Sequence, residues 1–237
     1  MKWRCTLEIF DCSDETIRSQ GISAAVSATI ADHLIVFPTD TCYALGGDAF
    51  SNAASRRIRT IKGLYTTAPL QVLIAEAGVL SGIAAPASDE AWKLAEAFWP
   101  GPLTMIVKVS PTLTWDIGGD PGLVQVRVPR HAVAAELLKG TGPLVVSAAR
   151  DSDTPIIQST SDVGRLQHHA AVFLDSGIIE PSLSTVVDCS SEETVILRSG
   201  PISIGQLVDA LGYMPKILKT EDPQDVAGME APEGGRA

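Results

Sequence analysis

Short apolar runs typical of buried strands recur along this chain more often than helical patterns do. The clearest are LIVF (34–37), LTMIVKV (103–109) and LVVSA (144–148), each bounded by Pro, Gly or polar residues. Further strands are predicted at 70–74, 123–129, 171–175, 184–188 and 194–198. Helical spacing of apolar residues occurs at 14–31, 51–62, 90–99, 132–139 and 202–211. Because hairpins mix with crossovers, the pattern predicts an α+β or mixed α/β fold, with helices flanking a twisted sheet.

The length and charge of the chain limit its function. Its 237 residues suit one large domain or two small ones, and one domain is the simpler interpretation. The formal net charge of −10 leaves no overall basic field to hold nucleic acid through its phosphates. Stable RNA or DNA binding is therefore not expected, although a local basic cleft can still bind a small anion such as a nucleotide.

The N-terminal segment, the lack of a long apolar run and the cysteines predict a cytoplasmic protein. Acidic residues occupy the N-terminal segment where a signal peptide needs an apolar run, and no stretch of 18 apolar residues predicts a membrane span. The four cysteines form no CxxC pair and no zinc-type spacing, so we expect reduced thiols and no metal site. Pro, Gly and acidic residues dominate after residue 212, which predicts a domain over 8–212 and a flexible tail over 213–237.

Several common catalytic and nucleotide-binding motifs are missing from the sequence. There is no GxxxxGK[ST] P-loop and no GxGxxG, so any nucleotide must be bound in another way. Ser147 lacks the GxSxG context, which disfavours a serine hydrolase. The only dense basic cluster, Arg56, Arg57, Arg59 and Lys62, is either a solvated helix face or part of an anion site.

Separate sequence motifs follow one another in a fixed order along the chain: FPTDTCYALGGDAF, IKGLYTTAPLQVLI, FWPGPLTMIV, VQVRVPRHAVAAELL, GPLVVSAA, STVVD and ILRSGPIS. Together they resemble the YrdC-like domain family. The similarity spans roughly residues 8–212. It implies a twisted sheet around a large cavity, in the single-domain form of the family.

The resemblance also implies an activity. Members combine L-threonine, bicarbonate and ATP into threonylcarbamoyl-AMP and pyrophosphate, the first step toward threonylcarbamoyladenosine at position 37 of tRNA. The implied enzyme is a nucleotidyltransferase whose product passes to downstream tRNA-modification proteins. ATP would enter as a substrate with Mg²⁺, and no tightly bound cofactor is implied.

Arg127 is the main candidate for binding threonine. It ends an apolar strand in VRVP, where its planar fork can bind a carboxylate at two points, although a surface ion pair is the alternative. The resemblance assigns Arg127, Thr41, Ser147 and Ser184 to the threonine subsite. The PTDT loop that carries Thr41 also suits a simple hydroxyl-closed turn.

The ATP side combines retained cations with two losses. The resemblance places Lys62 and Arg198 on the ATP phosphates. Leu64 stands where the family has the arginine of Lys-x-Arg, and Ala149 stands where it has the asparagine of Ser-x-Asn. A cation and an amide are thereby replaced by apolar groups, so we expect weaker ATP binding or slower turnover.

Three hypotheses remain open at this stage. The first is a threonylcarbamoyl-AMP synthase, slowed by Leu64 and Ala149. The second is a specialised paralogue with an altered nucleotide or carbamoyl substrate. The third is a non-catalytic protein that binds threonine or a carbamoyl compound. A second copy in the same genome with both motifs intact would favour the second or third hypothesis.

Overall fold

The computed structural model describes residues 6–218, which contain one sheet of 11 strands. The strands are β1 (Glu8–Asp11), β2 (Leu34–Pro38), β3 (Tyr43–Asp48), β4 (Gln71–Leu73), β5 (Leu103–Lys108), β6 (Leu123–Arg127), β7 (Leu144–Ala148), β8 (Ala170–Asp175), β9 (Thr185–Asp188), β10 (Val195–Arg198) and β11 (Lys216–Ile217). Their order in the sheet is β1-β8-β2-β3-β7-β4-β6-β5-β9-β10-β11, with parallel and antiparallel neighbours. The predicted mixed α/β class is confirmed.

Helices cover parts of both faces of the sheet. They are α1 (Glu15–Ile30), α2 (Asn52–Ile61), α3 (Leu80–Ile83), α4 (Asp89–Phe98), α5 (Ala132–Thr141) and α6 (Ile204–Leu211). Side chains of Asp14, Ser51, Ser88 and Ser203 accept backbone N–H groups at the starts of α1, α2, α4 and α6. Gly63 follows α2 with a φ of 62°, a conformation that favours glycine.

Alternation along the buried strands divides the core into two clusters, one on each face. Val72 belongs to the cluster that includes Ile58 of α2, whereas its neighbour Leu73 belongs to the cluster with Leu137 of α5. Neighbouring strand residues point to opposite faces, so these near-continuous apolar runs are what a sheet covered on both sides requires.

The structure contains strands that the sequence patterns did not predict. In β3, Gly46 and Gly47 weaken the strand signal, yet a Cβ on Gly47 would lie 2.8 Å from the Ala54 Cβ, so the close approach of α2 requires glycine there. Strand β11 pairs with β10 at residues 216–217, inside the segment predicted as tail. The rest of that tail, from residue 219, lies outside the described residues.

The hydroxyl of Tyr43 links β3 to the loop that follows β8 through hydrogen bonds. Removing this hydroxyl should destabilise the fold. The hydroxyl donates to the Gly177 carbonyl at 2.7 Å and accepts from the Ser176 N–H at 2.9 Å, while the side chain is fully buried. We expect Tyr43→Phe to lower the free energy of unfolding by about 1–3 kcal/mol in urea denaturation, because buried partners lose their hydrogen bonds. Tyr213→Phe is the control, since Tyr213 is 40% exposed and its hydroxyl has one partner, Thr194. An equal or larger loss in the control would contradict this account.

Candidate active site

Arg127 lies buried at the end of β6 with its guanidinium held on three sides. Its Nε donates to the Gly101 carbonyl at 3.0 Å, one terminal nitrogen donates to Thr41 Oγ1 at 2.8 Å, and the other pairs with the Asp40 carboxylate. Burial lowers the pKa of Arg127, and Asp40 opposes that shift. A guanidinium has five N–H donors, so about two remain for a ligand. The surface ion pair considered for Arg127 is wrong, because its side chain is only 4% exposed.

A second polar group surrounds Ser184, just before β9. Arg198 donates to the Ser184 carbonyl at 3.0 Å and to its hydroxyl at 3.2 Å. The same hydroxyl lies 2.7 Å from Thr104 Oγ1, which also accepts from Gln71 Nε2 at 2.7 Å. These contacts fix Ser184 and Arg198 relative to β5 and β4.

The strand register brings the two groups together. Val186 of β9 pairs with both Thr104 of β5 and Arg198 of β10. The pairing of Met105 with Val126 then places Thr104 across from Arg127, and residues opposite one another share a face of the sheet. Burial lowers the pKa of Arg198 and the charge of Arg127 lowers it further, so the two guanidinium groups lie near each other. Two arginines with one carboxylate, Asp40, make an anion-binding surface.

Lys62 is the third cation of the candidate site. It is the C-cap residue of α2, and its Nζ donates to the Ala148 carbonyl at 2.8 Å. Burial lowers the pKa of Lys62 to about 7, and the nearby charge of Arg150 also lowers it. Burial raises the pKa of the Cys42 thiol, whereas the charges of Arg127 and Lys62 lower it. The two cations therefore lie near the same buried side chain.

Ser147 stands apart from the residues that contact Arg127. It is half-buried near the end of β7 and pairs with Leu45 of β3. Within residues 6–218, no side-chain hydrogen bond links it to Thr41, Arg127 or Ser184. It directly precedes Ala148, whose carbonyl accepts a hydrogen bond from Lys62. Its assignment to threonine stays a prediction.

The two substituted positions belong to the apolar core. Ala149 is fully buried, with its N–H bonded to the Tyr43 carbonyl at 2.8 Å and its carbonyl accepting from Ile157 at 2.9 Å. Leu64 is half-buried and packs against the same apolar cluster. Both side chains therefore make apolar contacts in the structure.

Arg59 does not replace the cation missing at Leu64. Its side chain is 3% exposed, and it donates to the Ala68 carbonyl at 3.0 Å and to the Asp116 carbonyl at 3.1 Å. These bonds join α2 to two neighbouring loops. The interpretation of the basic cluster as a solvated helix face is thus wrong for Arg59.

Four residues of the site were not singled out from the sequence: Asp40, Gln71, Thr104 and Cys42. Asp40 and Cys42 lie within the PTDTC block, so their neighbourhood with Thr41 was visible. Thr104 and Gln71 reach the site only through strand register, which a single sequence does not show.

Three further observations concern cavities, metal-ligating side chains and long apolar helices. A cavity of 190 Å³ is lined by residues that include Thr66, Trp115 and Leu123 but not Arg127 or Lys62. In the part of the chain that the structure describes, no three His, Cys, Asp or Glu side chains cluster as a metal site would require. No helix there is long and apolar enough to cross a bilayer.

Comparison with known proteins supports one family. The family model described as "Telomere recombination", which covers Sua5, YciO and YrdC proteins, matches residues 28–200. A Mycobacterium leprae protein, provisionally named threonylcarbamoyl-AMP synthase, is 38% identical over 213 residues, covering 89% of this chain and 97% of the relative. The Bacillus subtilis threonylcarbamoyl-AMP synthase is 31% identical over 224 residues, covering 92% of this chain and 65% of the relative.

Solved structures agree with this result. Pyrococcus abyssi Sua5 in complex with L-threonine matches with a TM-score of 0.78 and 28% identity, over 90% of this chain and 62% of that one. Escherichia coli YciO shares the fold with a TM-score of 0.72 and 22% identity, over 85% of this chain and 97% of that one. The structure is thus that of a mixed α/β protein with cationic side chains in its candidate site. The chain belongs to the Sua5/YciO/YrdC family.

The lowered pKa of Lys62 makes a testable contribution to stability. Below about pH 7, Lys62 is charged in both the folded and the unfolded protein. Between about pH 7 and the unfolded pKa of 10.5, Lys62 keeps its proton only in the unfolded chain. Stability therefore rises with pH in this window. We expect urea denaturation to show this rise between about pH 7 and about pH 9. The unfolding free energy of the wild type, minus that of Lys62→Met, should increase by up to about 1.4 kcal/mol per pH unit.

Lys139→Met, at an exposed lysine of α5, is the matched control for this series. A flat difference between the wild type and Lys62→Met, or an equally steep one for Lys139→Met, would contradict the account of Lys62.

Proposed function

We propose that this protein forms threonylcarbamoyl-AMP from L-threonine, bicarbonate and ATP. Relatives from Bacillus subtilis and Pyrococcus abyssi carry the name threonylcarbamoyl-AMP synthase, and the Pyrococcus abyssi structure holds L-threonine. The observation that carries the proposal is the buried Arg127, which binds Thr41 and lies across from Thr104, whose hydroxyl contacts Ser184. In this arrangement the cation can bind the carboxylate of a ligand, and the hydroxyls can bind its polar side chain.

Threonine would bind first through its two polar ends. The carboxylate takes the remaining Arg127 donors, and Asp40 holds the guanidinium in place from its other side. The hydroxyls of Thr41 and Ser184 then lie within the same polar neighbourhood for the rest of the ligand. This leaves the amino group of threonine directed away from the arginine, where it can react.

The reaction then needs two bond-forming steps. The threonine nitrogen attacks the carbon of bicarbonate, and a carbamate forms with loss of water. A carbamate oxygen attacks the α-phosphorus of ATP, and the bond to the leaving pyrophosphate breaks. Lys62 and Arg198 would balance the charge that develops on the pyrophosphate. Mg²⁺ would be held chiefly by phosphate oxygens and water, as that ion prefers.

Leu64 and Ala149 favour a second candidate function. Because both side chains pack into the apolar cluster, the ATP side lacks a cation and an amide that the family pattern supplies. A protein that binds threonine without using ATP, or that uses another nucleotide or carbamoyl substrate, would show this one-sided loss. The threonine side, with Thr41, Arg127 and Ser184, is intact in either case.

The biological setting follows from the proposed product. Threonylcarbamoyl-AMP is a mixed anhydride that water hydrolyses, so downstream tRNA-modification proteins would take it up in the cytoplasm. The net charge of −10 fits a protein that hands over a small molecule rather than holding tRNA itself. We assign this function to the domain over residues 8–212.

Threonine binding should depend on the pairing of its carboxylate with Arg127. In calorimetry, Arg127→Ala should weaken L-threonine binding about tenfold or more, since a charge-assisted pair is lost. L-threoninamide, which lacks the carboxylate, should bind the wild type weakly and should lose little further affinity in the variant. Arg56→Ala, at an exposed arginine of α2, should bind threonine as the wild type does. Equal losses for threonine and threoninamide would show that Arg127 only supports the fold.

Pyrophosphate release tests the synthase against the second candidate. The wild type should release pyrophosphate only when threonine, bicarbonate and Mg-ATP are all present. Leu64→Arg should lower the KM for ATP, because it places a cation at a half-buried position from which a long side chain can extend its charged end toward solvent. Threonine binding without any pyrophosphate release, in both proteins, would favour the second candidate.

A further inference from the structure

We propose that Arg150 binds the phosphates of ATP together with Lys62, and so supplies the cation that is missing at Leu64. The inference rests on the proposed use of ATP and assigns a role to a residue outside the threonine side. Arg150 is the second residue after β7 and directly follows Ala149.

The segment that carries Arg150 wraps around the end of α2. The Lys62 ammonium donates to the Ala148 carbonyl at 2.8 Å, and the Ser152 N–H donates back to the Ile61 carbonyl at 3.1 Å. Gly63 touches the same segment so closely that an added Cβ would lie 3.0 Å from the Ser152 Cβ. Contacts on both sides of Arg150 thus hold its backbone against the helix end where Lys62 lies.

Arg150 is exposed and keeps its donors available. Among the residues that the structure describes, no hydrogen bond or ion pair engages its guanidinium. Arg127 and Arg198, by contrast, both spend donors on neighbouring protein oxygens. The next residue, Asp151, accepts from the Asp153 N–H at 3.0 Å and also interacts with Arg165. The same carboxylate acts on Lys62, whose pKa it raises against the effects of burial and Arg150, so one acid lies close to the two cations.

Arg150 and Lys62 are like charges carried by segments that contact one another. The charge of Arg150 helps to lower the pKa of Lys62, which places the two cations within electrostatic range. A ligand with several negative charges relieves this repulsion, and phosphates match a guanidinium fork well. Threonine, with one carboxylate already bound by Arg127, does not need a second pair of cations. The geometry therefore points to the triphosphate as the ligand of Arg150.

The test measures ATP and threonine affinities separately by calorimetry, in the wild type, Arg150→Ala, Arg150→Lys and Arg56→Ala. We expect Arg150→Ala to weaken Mg-ATP and inorganic pyrophosphate about tenfold or more while threonine affinity stays unchanged. Arg150→Lys should recover part of the loss, because it restores charge without the fork. Arg56→Ala removes the same charge from an exposed site on α2 and should change neither affinity.

The outcomes separate this inference from the proposed function. Wild-type affinity for ATP and pyrophosphate in Arg150→Ala overturns the role of Arg150 and leaves the synthase proposal standing. Binding that depends on Arg150, in a protein that makes no product, supports the inference and overturns the proposed function. If Arg150→Ala and Arg56→Ala weaken ATP equally, the effect is one of net charge, and the inference fails. A wild type that binds neither ATP nor pyrophosphate contradicts both.

Discussion

The ion pair between Arg127 and Asp40 is the interaction on which the rest of the site depends. It joins the end of β6 to the loop between β2 and β3, while Arg127 also holds the Gly101 carbonyl. A buried guanidinium without a partner would be strongly destabilising, so Asp40 makes this placement possible. The backbone N–H of Arg130 also binds the Asp40 carboxylate at 2.9 Å, which fixes the acid in turn. The carboxylate-binding donors are therefore set before any ligand arrives.

The electrostatics of the site follow from that rigidity. Arg127 on β6 and Arg198 on β10 are separated by β5 and β9, and Lys62 lies at the end of α2. All three cations interact electrostatically with the buried thiol of Cys42. Burial disfavours the charged form of all three cations, and it lowers the pKa of Lys62 to about 7, so Lys62 can lose its proton. An anionic ligand should restore that charge. The site is thus adjusted to receive negative charge at two places, a carboxylate at Arg127 and phosphates near Lys62.

The sequence predicted the fold class and most of the buried strands, because β-branched apolar runs are a strong local signal. It did not predict β3, where Gly46 and Gly47 serve the contact with α2 rather than strand propensity. Arg127, Ser184 and Arg198 were identified through the family resemblance. Their proximity depends on the register of β5, β9 and β10, which no local pattern contains. Arg59 illustrates the same limit, because its helical position suggested solvent and the structure buries it.

The central claim is that this site joins threonine, bicarbonate and ATP despite its altered nucleotide side. The most direct test supplies carbon-14-labelled bicarbonate with L-threonine and Mg-ATP, and separates the products by chromatography before the anhydride hydrolyses. The account predicts label in an adenylate that also contains threonine, formed by the wild type and absent with Arg127→Ala. A wild-type protein that binds threonine in the same buffer, yet transfers no label into an adenylate, would contradict it.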